Sequence, residues 1–583
     1  MKAIGHAQQS FGDRAHQPVR YPGDPDEWSD RNRPIDREML RDPGREQTAQ
    51  REPCDDHAFP QFLGDRDILA CGLAKIFGVQ AFERRRERIR VTVVRQARNQ
   101  YVIVSLEQVA RNPLELRRAR AHPMKQYNRA LAACAVDIGD RAPFGGDAGV
   151  VAGDKPPETV VAGSQGKFLN SSAMYLLSDR ARELIAEEER YGARNYAPLD
   201  VVVERAEGVW LWDVAGKRYL DCISSYSALS VGHCHPRVYG ALVEQGKRVT
   251  LTSRSLRNDR LPGFLKKLTQ TCGFDKAVPM NTGVEAVETA IKLARRWGYA
   301  KKRIPKDLAE IVVFENNFHG RTIAAISAST TPEYRAGFGP FLPGLRAVPF
   351  GDAASLERAI TPNTCAVLIE PIQGEGGVNV PPDGYLKRVW SICKEHDVLF
   401  VADEVQTGFG RTGAMFACDH EGVKPDVLIV GKALGGGYYP VSATLAGDEI
   451  ISLLQPGDHG STFGGNPLAC AVGEAALDVI VSEDLAEHAR RMGAAIMAAL
   501  KSISSPAIVE VRGRGLLIGT QLRVPAGLLS NALLERGVAA KDTRSDVLRI
   551  APPLVIDDAA VAYLLERFED ALAAVTAHSA ARS

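Results

Sequence analysis

From residue 174 onward the chain carries two hydrophobic rhythms, and before that point it carries neither clearly. Short runs of β-branched and leucine residues, bounded by Gly or Pro, alternate with longer segments whose apolar residues recur every three or four positions. The first kind reads as buried strands and the second as helices with one apolar face. The strand candidates lie at 311–314, 366–369, 398–401 and 427–430. Their alternation with helices predicts an α/β fold with a mainly parallel sheet covered by helices. Residues 201–206 and 209–213 predict a short antiparallel hairpin. Val287, Ala290, Ile291 and Ala294 mark the apolar face of a helix opening at Asn281. A C-terminal part is expected from about Gly473, with a long helix, a strand at 515–520 and the run 547–553. Val561, Leu564, Leu565 and Phe568 mark a last helix from about Asp557 to Ala574. The expected segments are therefore 174–240, 241–472 and 473–583.

Residues 1–173 differ in kind. The first hundred hold 16 Arg against 2 Lys, and Pro, Asp and Gly are frequent. This stretch reads as disordered, or as a translated upstream region with Met174 the natural start, apart from strand candidates at 89–94 and 101–106. The run at 84–88, Arg-Arg-Arg-Glu-Arg, reads as a solvated charge run. Over the 583 residues, 72 basic and 71 acidic side chains leave a net charge of +1. That balance points to no nucleic acid and no membrane surface as partner. No apolar run is long enough to span a bilayer, and no signal peptide opens the chain. Ten cysteines without a CxxC pair read as buried or free thiols in a reducing compartment, the cytoplasm.

The chemistry concentrates where the strands end. The run Pro425-Asp426-Val427-Leu428-Ile429-Val430-Gly431 delivers Lys432 into a glycine-lined turn, Gly435-Gly436-Gly437. An ammonium carried out of an apolar strand is either a strand-end surface lysine or one meant to lose its proton and attack a carbonyl. Asp403 ends another apolar strand, 29 residues earlier. Ligands of open α/β sheets sit at the carboxyl ends of strands. A lysine and an aspartate there fit pyridoxal 5′-phosphate, the amine holding the aldehyde and the carboxylate holding the pyridinium nitrogen protonated.

Other motifs gain weight from this company. Thr282, Gly283 and Val284 open the helix after Asn281, as an ordinary N-cap or as a phosphate-binding turn. Ser461 and Thr462, followed by Gly464 and Gly465, form a second hydroxyl-and-glycine turn suited to the same phosphate. Phe318 is placed to stack on a pyridine face or to sit in the core. Arg321 is placed to fork a carboxylate or to make a structural ion pair. Glu370 and Glu375 lie five residues apart at another strand end. Glu375, in a glycine-rich loop, is able to pair with an arginine and release it, while Glu370 reads as a structural acid. Gln406 is placed to reach the phenolic oxygen of the cofactor ring. The cluster Gly232-His233-Cys234-His235-Pro236 lacks distant partner ligands and reads as a turn; no metal is expected.

Together these motifs resemble the class III, or ω-amino, aminotransferases of fold type I, over about residues 178–575. Within that family the ornithine-using enzymes are the nearest match. Further runs carrying the resemblance are Arg194-Asn195-Tyr196-Ala197-Pro198-Leu199, Ser224-Ser225-Tyr226-Ser227-Ala228, Leu251-Thr252-Ser253-Arg254, Gly337-Phe338-Gly339-Pro340-Phe341 and Arg549-Ile550-Ala551-Pro552-Pro553. The resemblance implies a large cofactor-binding domain with a mainly parallel sheet, and a smaller α+β domain built from both ends of the globular part. It implies that Lys432 holds the cofactor and carries the proton, and that Asp403 holds the pyridinium. Gly283 and Val284 would bind phosphate, with Thr462 reaching in from a second subunit of a homodimer or higher homo-oligomer. Tyr196 and Arg321 would orient L-ornithine, Tyr226 would wall the pocket, and Glu375 would mask Arg549 until a 2-oxo acid, 2-oxoglutarate first, enters. The products implied are glutamate 5-semialdehyde and glutamate. Family members carry Trp or His at position 319. Two alternatives stay open: an ω-aminotransferase acting on acetylornithine or 4-aminobutyrate, and a non-catalytic regulator that binds pyridoxal phosphate.

Overall fold

The computed structural model describes residues 177–580. The strands expected at 89–94 and 101–106, the charge run at 84–88 and the rest of residues 1–173 lie outside the described residues.

A helix, Asp179–Tyr191, precedes an antiparallel hairpin: Val203–Glu207 (β1) pairs with Trp210–Asp213 (β2), which pairs with Arg218–Asp221 (β3). The central sheet follows, with Lys276–Met280 (β4), Glu310–Phe314 (β5), Leu345–Val348 (β6), Thr364–Ile369 (β7), Leu399–Asp403 (β8), Val427–Val430 (β9) and Ser442–Ala446 (β10). Its order is β4-β10-β9-β8-β7-β5-β6, and β10 alone runs against its neighbours. Ile508–Arg514 (β11), Leu517–Leu522 (β12), Val538–Ala539 (β13), Lys541–Arg544 (β14) and Val547–Ile550 (β15) complete the strands. A second four-stranded sheet has the order β11-β12-β15-β14, while β13 joins β3 in parallel. Segments from the two ends of the described chain thus share one sheet.

Because strand side chains alternate in direction, each central strand feeds two cores. Val312, Val367, Phe400 and Leu428 enter one; Ile311, Ala366, Leu399 and Val427 enter the other. Both faces are apolar, so β7, β8, β9 and β10 are buried at every position. Each large aliphatic side chain so buried contributes about 1.5–3 kcal/mol. Pro279 has no N–H to donate, and its strand β4 accordingly lies at the sheet edge. The helix Gly283–Ala300 packs across β10, β7 and β9. The helices Pro467–Ser482 and Leu485–Ser502 lead into the β11–β15 sheet, and Gly473 sits inside the first of them. The last helix runs Asp558–Ala580. Among the described residues, no helix is long and apolar enough to cross a membrane. The seven described cysteines are free, and six of them are buried.

Candidate active site

Parallel strands release their chains at one rim, so the ends of β5, β7, β8 and β9 converge. β8 leaves Asp403 there, 5% exposed, in register with Ile429 of β9. Two residues beyond β9 stands Lys432, at the start of a tight turn, with φ of 44°. Left-handed backbone in a side-chain-bearing residue is strained, and such strain collects at functional sites. Among the described residues no hydrogen bond reaches Lys432 Nζ. Burial pushes its amine below the ordinary lysine range; the carboxylates of Glu375, Asp403 and Glu370 oppose that, and Arg549 reinforces it.

A buried acid network lies beside it. Asp403 Oδ2 meets His319 Nδ1 at 2.7 Å, and Asp403 Oδ1 accepts the Val405 N–H at 3.1 Å. Burial alone would depress the imidazole pKa, but the hydrogen bond and charge of Asp403, with Glu370, outweigh it and raise it. Glu370, at the end of β7, accepts the Phe318 N–H at 2.8 Å. Burial pushes its carboxyl up to about 8, against the pull of His319. His319 therefore tends to the cation and Glu370 to the neutral acid. His319 Nε2 is buried without a partner.

The opposite wall comes from the β11–β15 sheet. Arg549 of β15 is 3% exposed and its Nη1 donates to Glu375 Oε1. Burial would raise the Glu375 carboxyl, yet Arg549 first and Lys432 next hold it below the usual range. Gln406 Nε2 lies 3.4 Å from both Glu375 Oε1 and the Tyr226 carbonyl, and its Oε1 is buried without a partner. A Cβ on Gly374 would stand 1.4 Å from Gln406 Oε1, so a side chain there would displace the Gln406 amide from its present place. The Tyr226 ring lies 5.0 Å from the Arg549 guanidinium.

Tyr226 is presented by four successive left-handed residues, Ser224 to Ser227, with φ from 42° to 78°. This conformation costs about 1–2 kcal/mol per residue. Several contacts offset it. Asp221 Oδ1 accepts the N–H groups of Ile223 and Ser224 at 2.9 and 2.8 Å, and Ser224 Oγ donates to the Ala551 carbonyl at 2.6 Å. Arg411, fully buried, donates to the carbonyls of Leu516 and Pro552 and lies 3.3–3.4 Å from the hydroxyls of Ser224 and Ser230. Among the described residues no ion pair holds it, and burial pulls its guanidinium down to about 9. His233 Nε2 is bound to Asp221 Oδ2 at 2.8 Å and His235 faces Glu483 at 3.4 Å, so both have structural partners.

The remaining expected residues flank this centre. Thr282 caps the helix Gly283–Ala300 in a capping box with Glu285, leaving the first-turn N–H groups of Gly283 and Val284 free. A Cβ on Gly283 would lie 2.8 Å from Val405, which follows Asp403; that close approach seats the helix end against the rim. Ser461 Oγ accepts from Asn281 at 2.8 Å, which brings its turn beside Thr282. Thr462 is exposed. Arg321 is exposed and stacks on Tyr334 at 3.6 Å, with the Phe318 ring 5.3 Å away. Tyr196 is 78% exposed, yet close enough to raise the Tyr226 hydroxyl pKa, after burial and Glu375. The structure thus gathers Lys432, Asp403, Gln406, Glu375, Arg549 and Tyr226 at one centre. Thr282, Gly283, Val284 and Ser461 adjoin it, and Tyr196, Arg321 and Thr462 lie at the surface.

Three contributors carry little signal in the sequence. His319 is one residue from Phe318, and only its pairing with Asp403 reveals it. Arg411 is singled out by no sequence motif and is fully buried. Glu404 follows Asp403 with no motif of its own, and it is fully buried and accepts the N–H groups of Ala417 and Cys418 at 3.0 and 2.8 Å.

Comparison with known proteins agrees with this geometry. The model of the class-III aminotransferase family matches residues 191–572. An ornithine aminotransferase of a Geobacillus species (strain WCH70) is 52% identical over 396 residues, 68% of this chain and 100% of its own. One from Brevibacillus brevis is 51% identical over 389 residues, 67% of this chain and 98% of its own. Among solved structures, the ornithine aminotransferase of Toxoplasma gondii ME49 superposes with a TM-score of 0.68 at 42% identity, covering 70% of this chain and 98% of that one. The acetylornithine aminotransferase of Elizabethkingia anophelis gives 0.62 at 46% identity, covering 67% and 98%. The chain belongs to the class-III aminotransferases, a family of pyridoxal-phosphate enzymes.

Proposed function

We propose that this chain transfers the δ-amino group of L-ornithine to a 2-oxo acid, 2-oxoglutarate, giving glutamate 5-semialdehyde and glutamate. The observation that carries the reading is the Glu375–Arg549 pair beside the partly buried, unbonded amine of Lys432. A guanidinium covered by a movable carboxylate suits an enzyme that alternates between two substrates. One has no carboxylate beside its reacting amine, and the other has one beside its reacting carbonyl.

The residues present fit pyridoxal phosphate. The first-turn N–H groups of Gly283 and Val284 form the positive end of a helix dipole, as a phosphate requires. Among the described residues Gln406 Oε1 and His319 Nε2 are buried without partners, and Lys432 is partly buried. When bound, the cofactor supplies an electrophilic aldehyde and an electron-accepting ring. The chain's own groups do the rest. Lys432 would hold the cofactor in the resting enzyme, and its Nζ, disposed by burial to lose its proton, would carry a proton away from the amine-bearing carbon of the substrate and deliver it to the carbon that receives the amine. Asp403, fixed in orientation by His319 and the Val405 N–H, keeps a proton on the ring nitrogen. Phe318, its backbone pinned by Glu370, covers the ring, and Gln406 reaches the phenolic oxygen. Thr282 and Ser461 line the phosphate end. Arg321 and Tyr196 take the α-carboxylate and head group of ornithine, and Tyr226 bounds the pocket. Glu375 covers Arg549 while ornithine reacts and yields it to the oxo acid.

We further take the active unit as a homodimer in which Thr462 completes the neighbouring site. Its support is the exposure of Thr462, Phe463 and Tyr196 on the single chain. The cofactor-binding domain is taken as 241–472, the small domain as 174–240 with 473–583, and the compartment as the cytoplasm, which suits the free thiols. The likeness to an acetylornithine aminotransferase supports a second reading, with N-acetylornithine as donor. Turnover on L-ornithine, N-acetylornithine and 4-aminobutyrate, measured with the full chain and with the chain begun at Met174, decides between them. Ornithine is expected to lead by at least about tenfold, one favourable contact's worth. A lead for N-acetylornithine would overturn the proposal.

A further inference from the structure

The loop bearing Glu375 turns on backbone bonds from Gly377 and Val378 to the Gly374 carbonyl and on one from Asn379 Nδ2 to the Gly376 carbonyl, and it is tied to its surroundings as well. At its base Gln373 and Asn379 exchange backbone hydrogen bonds of 3.0 and 3.1 Å. On its far side Arg512 of β11 donates to the carbonyls of Gly377 and Val378 at 2.7 and 3.1 Å. On the side of Glu375 itself, the tie is Thr543. Its Oγ1 lies 3.1 Å from both the Gly374 and the Glu375 carbonyls, a shared donation from one hydroxyl.

The position of Thr543 is a constructed one. β14 pairs with β15 through Lys541↔Arg549, Asp542↔Leu548 and Arg544↔Val547, so Thr543 is the extra residue of a β-bulge. A bulge bends its strand and re-aims one side chain, commonly next to an active site. Here it turns the hydroxyl to the Glu375 loop, while the strand stays registered on the strand that carries Arg549. One short strand therefore references both halves of the Glu375–Arg549 pair. The same strand reaches the Tyr196 segment, where Lys541 Nζ donates to the Ala197 carbonyl.

We propose that Thr543 is a positioning residue that sets how often Glu375 covers Arg549, and thereby divides the site between an amine donor with no carboxylate beside its reacting end and a dicarboxylic oxo acid. The inference rests on the covering role proposed for Glu375. With the hydroxyl removed, the backbone of residues 374 and 375 loses its only side-chain tie among the described residues. Glu375 then aims at Arg549 less of the time, and the guanidinium is open to a substrate carboxylate more of the time.

Calorimetric titration of the resting holoenzyme with glutarate, a dicarboxylate that cannot react, reads the open fraction directly. Single-turnover rates with ornithine and with glutamate read its consequence. Thr543→Val is expected to bind glutarate about three- to tenfold more tightly, the worth of one such hydrogen bond. It should also raise the glutamate-to-ornithine rate ratio in the same proportion. Thr543→Ser, which keeps the hydroxyl, is expected to stay within about twofold of the wild type. A purely structural role would weaken both substrates together and leave the ratio unchanged. Unchanged glutarate binding in Thr543→Val, or an equal shift in Thr543→Ser, overturns the proposal. Should the valine variant fail to fold, Thr543→Ala carries the same expectation. Glu375→Gln separates the two levels. If it tightens glutarate and Thr543→Val does not, only the role of Thr543 falls. If it leaves glutarate binding unchanged, the covering role and this inference fall together.

Discussion

At the rim of the central sheet, Asp403 and Lys432 leave strands that are buried at every position; across the cleft, Arg549 meets an acid borne on a glycine-rich loop. The first wall is held by two apolar cores and by the His319–Asp403–Glu370 network. The second is held by hydrogen bonds from Thr543, Arg512 and Gln406 to a short loop. The contrast matches two demands. Proton transfer at the reacting carbon needs groups that do not move. Accepting two unlike substrates needs a charge pair that opens and closes, and a pair held by a few hydrogen bonds opens at modest cost.

Changes on the two walls should therefore differ in kind and in size. Asp403→Ala on the rigid wall is expected to lower turnover about a hundred- to ten-thousandfold with either substrate, the range for a positioned proton-holding group. Steady-state rates with ornithine and with glutamate check this, and a loss confined to one of them would break the comparison. Arg411→Met tests the frame between the walls. It strands the carbonyls of Leu516 and Pro552, at about 1–3 kcal/mol each, and releases the left-handed turn of Tyr226. Urea titration is expected to show a loss of about 2–5 kcal/mol, and stability within about 0.5 kcal/mol of the wild type would refute that role.

On the adjustable wall, Glu375→Gln keeps an acceptor for Arg549 but removes the charge. The ratio of ornithine to glutamate single-turnover rates is expected to fall about tenfold; a fall in both rates together would place Glu375 with the rigid groups. A comparable effect concerns pH. Glu370 keeps its proton in the folded chain up to about 8, while the unfolded carboxyl, with its ordinary value of 4.5, releases it. The wild type therefore loses stability as pH rises from about 4.5 to about 8 and levels off above, as the linkage requires. Glu370→Gln lacks that loss and retains an oxygen for the Phe318 N–H. Its stability relative to the wild type should grow across that window by about 1–3 kcal/mol. Denaturation midpoints at pH 5 and pH 8.5 that shift equally in both proteins would show that Glu370 is ionised when folded.

The two walls also differed in how far they were legible. Strands buried on both faces write themselves as unbroken apolar runs, so β5, β7, β8 and β9, and with them Asp403 and Lys432, are readable from residue type alone. β10, Ser-Ala-Thr-Leu-Ala, is equally buried yet mixes small and hydroxyl residues because Ser442 and Thr444 bond to the backbone of the Gly283–Ala300 helix region. That burial is tertiary and leaves no apolar run. The left-handed segment at 224–227 contains no glycine, the usual mark of that conformation, and only Asp221, Ala551 and Arg411 explain it. Arg411 is singled out by no motif because its acceptors are carbonyls some 100 residues and more away in sequence. The bulge at Thr543 depends on the register between β14 and β15, which no local pattern encodes. Local patterning reached Glu375 and motif resemblance added Arg549, but both left the ties that hold them unseen.

The account stands on Lys432 as the nitrogen that holds the cofactor. Borohydride reduction of the purified holoenzyme, followed by proteolysis and mass mapping, tests it directly. The account predicts one pyridoxyl-modified peptide, containing Lys432, and no such peptide from Lys432→Ala. A reduced adduct on another lysine, or none at all, would contradict it.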